Sequence, residues 1–343
     1  MSYTQNTTIL AGDINTLYKG STDGIYNKAL SSLENIYGVG NGSLGYGQPV
    51  TFSPKATNDL ITSSEWLQLY NYTNNILKHQ GTTSGYDLLN STLRPEYVPN
   101  PNNKIYFNSS LNDALLSTGT ANLGSSANRF KALKQGVAVT ATNLYSVALT
   151  TTPLQLQTVW TFTSGDKARY FFNSGGQLKL TPSVSGLLAT SAKDYYIQTL
   201  LNLVGDIYIS APGTTPSTAT INNVSFTGVK QVTTGSVTTR SVYQTGYGYY
   251  GLTTTPTEVL KITCPTTGYT DSYVSLLLSS NGVQGTNGDN GSVITATFRI
   301  YKSVIATNNI ATATYKMDTT VIPPSTAVLD DSWGTVTMTT TKL

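Results

Sequence analysis

Cysteine and histidine, the residues that most metal and nucleophile chemistry relies on, occur once each, as Cys264 and His79. A single cysteine excludes an internal disulfide and a cysteine-built zinc site. A single histidine leaves any Ser-His-Asp or Cys-His arrangement dependent on His79, which falls at the end of a helical pattern where a backbone carbonyl or water satisfies it. Charge is scarce as well: Asp, Glu, Lys and Arg make up 11% of the chain, with a net charge of +3. No run of Lys or Arg forms a stripe that could follow phosphates, so nucleic acid is not an expected partner. No apolar run approaches the roughly 18 residues of a membrane helix, and Met1 to Thr8 are polar without a basic stretch and apolar block. No membrane span is expected, and synthesis in a cytoplasm is.

Thr, Ser, Asn, Gly and 23 Tyr take the place of the missing charge. Thr and Tyr suit a pleated, half-buried surface; Gly, Asn and Ser suit the turns between strands. So little charge gives weak mutual repulsion, the property of a subunit packed against neighbours. The length of 343 residues allows about two ordinary domains at roughly 150 residues each.

The chain divides by pattern into three parts. Residues 1–60 carry short apolar pieces broken by Gly20, Gly24, Gly38, Gly40, Gly42, Gly45 and Gly47, and are expected to form an extended N-terminal arm with a short helix within Leu30 to Tyr37. Residues 61–130 hold one amphipathic helix, about Ser63 to His79, and a Pro/Asn-rich irregular linker. Thr62 and Glu65 have the capping-box spacing. Trp66, Leu69, Tyr70 and Ile76 then recur every three or four residues, giving a stripe that must pack on something. Residues 131–343 are expected to be β-sandwich. Thr158 to Thr163 alternates, with Trp160 and Phe162 on one face; Arg169 to Asn173 and Gln177 to Thr181 read as two strands around the turn Asn173-Ser174-Gly175-Gly176. A helix from Ala192 to Leu203 stops at Gly205. Further strands are expected near Ile207–Ser210, Thr220–Gly228, Val242–Tyr250, Glu258–Thr263, Tyr273–Ser279, Ser292–Val304 and Gly334–Thr340. Connections too short for crossover helices favour antiparallel pairing. The fold class is therefore mainly β: an antiparallel β-sandwich with an extended N-terminal arm and one or two short helices.

The segment from Val159 to Leu180, with Trp160, Phe162, Arg169, Tyr170, Phe171, Phe172, Asn173, Gly175 and Gly176, resembles a signature of virion structural and tail proteins of tailed phages, including cyanophages. Ile61-Thr62-Ser63-Ser64-Glu65-Trp66 with His79-Gln80, and the glycine run Gly40 to Gln48, resemble other segments of the same proteins. The resemblance implies a virion structural component of neck, tail or fibre, assembled in a host cytoplasm, whose partners are copies of itself and other virion proteins. On physical grounds, Trp160, Phe162, Arg169, Tyr170, Phe172, Asn173, Gly175 and Gly176 form a core or assembly signature, because aromatics at this spacing are normally core.

Other chemistry is thinly supplied, and no enzyme activity and no cofactor are expected. Asp330-Asp331, the one adjacent acidic pair, reads as a solvated turn, since neighbours on a strand point to opposite faces. Asn287 to Gly291 lacks the bidentate Glu of an EF-hand and reads as a hairpin turn. Tyr247, Tyr249 and Tyr250 fit either an interface or a sugar-stacking platform. The alternative function is thus a receptor-binding module that contacts host surface glycan.

Overall fold

A computed structural model describes residues 33–42, 44–51, 59, 62–80, 133–188, 191–211, 219–221, 224–226, 229–230, 240–241, 248–263, 269, 271–282, 291–302 and 310–343. The chain forms two compact units. One comprises residues 1–134, 220–223 and 324–332; the other comprises residues 135–219, 224–323 and 333–343.

In the first unit, α1 (Leu33–Ile36) is a single turn whose Leu33 and Ile36 are fully buried. The glycine run that follows folds back on it: the amide of Tyr46 donates to the Ile36 carbonyl, that of Gly47 to Gly38, and that of Gln48 to Tyr37. Gly45 makes this return possible. Its φ is +90°, and a Cβ there would lie 2.1 Å from the Val39 carbonyl oxygen, a position that only glycine accepts. Helix α2 (Ser63–His79) starts at the expected capping box: the Thr62 hydroxyl accepts from the Glu65 amide and the Glu65 carboxylate accepts from the Thr62 amide. Ile76 is fully buried. The side chains of Trp66, Leu69 and Tyr70 lie outside the described residues. His79, expected at the helix end beside a backbone carbonyl or water, is buried, its ring meeting Tyr46 edge-on at 5.2 Å between centroids. Asp330 and Asp331 are exposed, and the Asp330 backbone exchanges hydrogen bonds with the Gln48 amide group.

The second unit is mainly β. Its strands are β1 (Val139–Leu149), β2 (Leu154–Thr161), β3 (Gln177–Ser185), β4 (Ile207–Ile209) and β6 (Val224–Phe226), while β5 (Ala219–Ile221) falls mostly among residues 220–223 of the first unit. They continue with β7 (Val229–Lys230), β8 (Arg240–Ser241), β9 (Thr257–Thr263), β10 (Tyr273–Ser280), β11 (Val293–Tyr301), β12 (Ile310–Ile322) and β13 (Thr337–Lys342). They build two antiparallel sheets, in the orders β1-β12-β3-β4-β7 and β13-β2-β11-β10-β9-β8. Period-two burial explains each of the long strands. Leu154, Leu156, Thr158 and Trp160 of β2 point inward, as do Ile294, Ala296, Phe298 and Ile300 of β11 and Ala313, Tyr315, Met317 and Thr319 of β12. Helix α4 (Ala192–Val204) packs on β3 of one sheet and on β9 and β10 of the other. It ends, as expected, at Gly205, which takes φ +58°.

Two expected strands are corrected. Arg169 to Asn173 belongs to helix α3 (Gly165–Asn173), not to a hairpin strand. The Ser164 hydroxyl caps it by accepting from the Lys167 amide, Asp166 sits in its first turn, and Asp166 pairs with Arg169 one turn on at 3.1 Å. The Asn-Ser-Gly-Gly turn misled here: Tyr170, Phe171 and Phe172 are all buried in succession, which a strand between solvent and core could not achieve. The end of the strand expected over Val242–Tyr250 is instead a single 3-10 turn at Tyr249–Gly251; the rest of that expected strand, residues 242–247, lies outside the described residues, as do 287–290 and Cys264. Conversely β12, 13 residues long and central in its sheet, was not among the expected strands.

Candidate assembly edge and the aromatic core behind it

The signature residues converge in the second unit. Phe162 follows directly on β2 and stands 5.3 Å from Phe171 and 5.9 Å from Phe172, centroid to centroid. Phe171 and Phe172 meet edge-to-face at 5.1 Å, and Phe172 stacks on Tyr249 at 4.5 Å. Such offset and edge-on contacts add about 0.5–1.5 kcal/mol each beyond the area they bury. Tyr249 is fully buried and its hydroxyl donates to the Gly165 carbonyl, so neither ring face is open to a sugar. Tyr250 donates to the Asn173 side-chain oxygen; Tyr247 lies outside the described residues. Trp160 is fully buried on the inner face of β2.

Arg169 is wholly buried, with its guanidinium on Asp166 and 4.8 Å from the Tyr170 ring centroid. Burial raises the Tyr170 phenol above its ordinary pKa, while Arg169 beside it pulls the other way. The turn after α3 needs both of its glycines for different reasons. Gly175 has φ +92°. Gly176 lies against the Phe171 ring, which a Cβ would meet at 2.5 Å.

Tyr315 faces the interior of β12 and is fully buried. Its hydroxyl has no hydrogen-bond partner among the described residues. Burial, reinforced by the negative charge of Asp194, pushes its pKa far above the ordinary phenol value. A phenol that is harder to ionise when folded contributes stability that is complete below the unfolded value of about 10 and is lost as pH rises past it. Tyr315→Phe is therefore expected to be at least as stable as the parent at pH 7, because no hydrogen bond is lost and a desolvated hydroxyl is removed. It should also lose less stability between pH 9 and 11. Urea denaturation at pH 7, 9 and 11 checks both; a variant less stable at pH 7 would show the hydroxyl to be bonded.

The other notable feature is at the rim. Strand β1 is the end strand of the five-stranded sheet and β13 the end strand of the six-stranded sheet. The two are adjacent: the Tyr145 hydroxyl donates to the Thr340 carbonyl at 2.9 Å. Just inside, Thr158, Thr319 and Thr340 join hydroxyls across the gap between the sheets at 2.9–3.4 Å. Burial pushes the Tyr145 phenol up, keeping it a neutral donor. None of the 11 residues of β1 is charged. Its inner neighbour β12 does carry charge: Asp318 accepts from Thr142 and pairs with Lys316 at 2.7 Å. Burial alone would raise the Asp318 pKa, but these bonds together hold its carboxyl below the ordinary value.

An end strand exposes a row of unpaired amides and carbonyls, and folded proteins normally blunt it with Lys, Pro or a bulge. Here the one irregularity is a register shift between Val147 and Leu149, at the far end of β1. Large apolar side chains stand exposed along it: Val137 is 86% exposed, Val139 59% and Leu144 62%. From the sequence, self-assembly through β-edges and Tyr/Thr-rich faces is expected, but none of the patterns read there says which strand forms the edge. The signal available was eleven consecutive residues without charge, Pro or Gly. Among the described residues no group of His, Cys, Asp and Glu could hold a metal ion, and no helix is long and apolar enough to cross a membrane. Compared with family models, curated proteins and solved structures, the chain matches none of them.

Proposed function

We propose that this chain is a structural component of a tailed-phage virion, in the neck, tail or fibre, where it works as one copy among identical subunits and in contact with other virion proteins. The observation that carries the assembly part is the pair of adjacent end strands β1 and β13, of which β1 has no charge to keep another strand away. The scarcity of charge over the whole chain supports it. The likeness of the Trp160–Gly176 and Ile61–Gln80 segments to tail proteins supports the virion part. The burial of Tyr249 weighs against a glycan platform at that tyrosine cluster.

Light scattering of the full chain across a concentration series tests the first part: a discrete oligomer is expected, and a monomer throughout overturns it. Labelled antibody on purified particles whose genome encodes the chain tests the second. Signal at one fixed structural position is expected, and absence of the chain from the particle overturns it.

A further inference from the structure

We infer that the self-contact is made by β1 pairing antiparallel with β1 of a second copy, about a two-fold axis through Leu144, so that two five-stranded sheets join into one continuous sheet. This rests on the reading of the chain as a self-assembling subunit and names the surface involved.

Three observations lead to it. First, β1 is long for an end strand, 11 residues, and among the described residues no strand pairs with its outer edge. Second, it is chemically self-complementary. Centring the pair on Leu144 gives the longest overlap, with Val139 opposite Leu149 of the second copy. On the outward face Leu144 then meets its own counterpart, Thr142 meets Ser146, and Thr140 meets Ala148. On the other face Asn143 meets Tyr145 and Ala141 meets Val147. Every apolar residue of the strand finds an apolar or small partner, the Thr142 hydroxyl meets that of Ser146, and no charge faces itself across the axis, where like charges would be directly opposed. Third, the exposed large apolar residues are concentrated here. Val137, Val139 and Leu144 make up three of the seven such residues among those described, and pairing covers Leu144 from both sides.

The test uses the full-length chain. In a Cys264→Ser background, Leu144→Cys is expected to oxidise to a single disulfide-linked dimer, because the axis brings residue 144 against its own copy within the roughly 4.4–6.8 Å Cα separation that a disulfide spans. Thr140→Cys should not link to itself, since the axis separates its two copies by eight strand positions, but should link when mixed with Ala148→Cys. Leu144→Lys places two ammonium groups face to face at an exposed site. It is expected to weaken association at least ten-fold in light scattering while leaving the thermal unfolding of the subunit unchanged. If the parent is oligomeric but Leu144→Lys assembles normally and Leu144→Cys does not cross-link, the β1 pairing is overturned and the assembly reading survives. Self-linking of Thr140→Cys without linking of Leu144→Cys overturns the antiparallel register. A parent that is monomeric at all concentrations overturns the assembly reading itself, and the pairing with it.

Discussion

Phe172→Ala is expected to cost about 4 kcal/mol of folding stability, within the roughly 3–5 kcal/mol range for deleting a buried phenylalanine. Three rings lose a partner at once: Phe162, Phe171 and Tyr249 all lie within 6 Å of Phe172, centroid to centroid. The cavity cannot collapse easily, because Phe162 is held beside β2 and Tyr249 is tied to the Gly165 carbonyl. Since domains are stable by only about 5–15 kcal/mol, the variant should have a midpoint in urea well below that of the parent, with the slope of the transition little changed. A loss under 1 kcal/mol would show that the surrounding rings close over the gap.

Gly176→Val should destabilise by about 3 kcal/mol, at the upper end of overpacking costs, and Gly176→Ala by somewhat less. The contact in question, 2.5 Å from a new Cβ to the Phe171 ring, is closer than real side chains approach. Phe171 is fully buried and locked edge-on against two other phenylalanines, so the ring has nowhere to go. The mechanism makes a second, sharper expectation: in a Phe171→Leu background the added cost of Gly176→Ala should shrink, because the smaller side chain leaves room. Contacting residues depart from additivity in this way. A double-mutant cycle by chemical denaturation measures it, and simple additivity would show that the cost arises from the backbone at Gly176 and not from the ring.

How much of this was legible in the chain can be followed residue by residue. Helix α2 was readable to its ends because its signals are local: the Thr62/Glu65 box and an apolar recurrence of three and four. Helix α4 likewise carries its own stop at Gly205. The alternation that places Trp160 inward needs no knowledge of β11 or β13, only that one face of β2 is core. The helix at Gly165–Asn173 was hidden because it is only nine residues long and its consecutive aromatics Tyr170, Phe171 and Phe172 read equally well as strand. The adjacent Asn-Ser-Gly-Gly then reads as well as a hairpin turn as it does a helix end. Strand β12 was hidden for the opposite reason. Its neighbours β1 and β3 are more than 120 positions earlier in sequence, and a Thr/Ala-rich run becomes a strand once those partners supply its hydrogen bonds.

Composition and periodicity alone determined that the chain is a mainly antiparallel β protein with little charge, because strand preference, turn residues and side-chain alternation are properties of short segments. Which strands lie at the ends of the sheets, whether an aromatic faces core or solvent, and why Gly176 has to be glycine were decided only by tertiary structure. Each of those depends on which distant segment occupies the neighbouring space: β12 beside β1 leaves the other side of β1 open, and Phe171 against Gly176 closes the one place where a side chain would have to go.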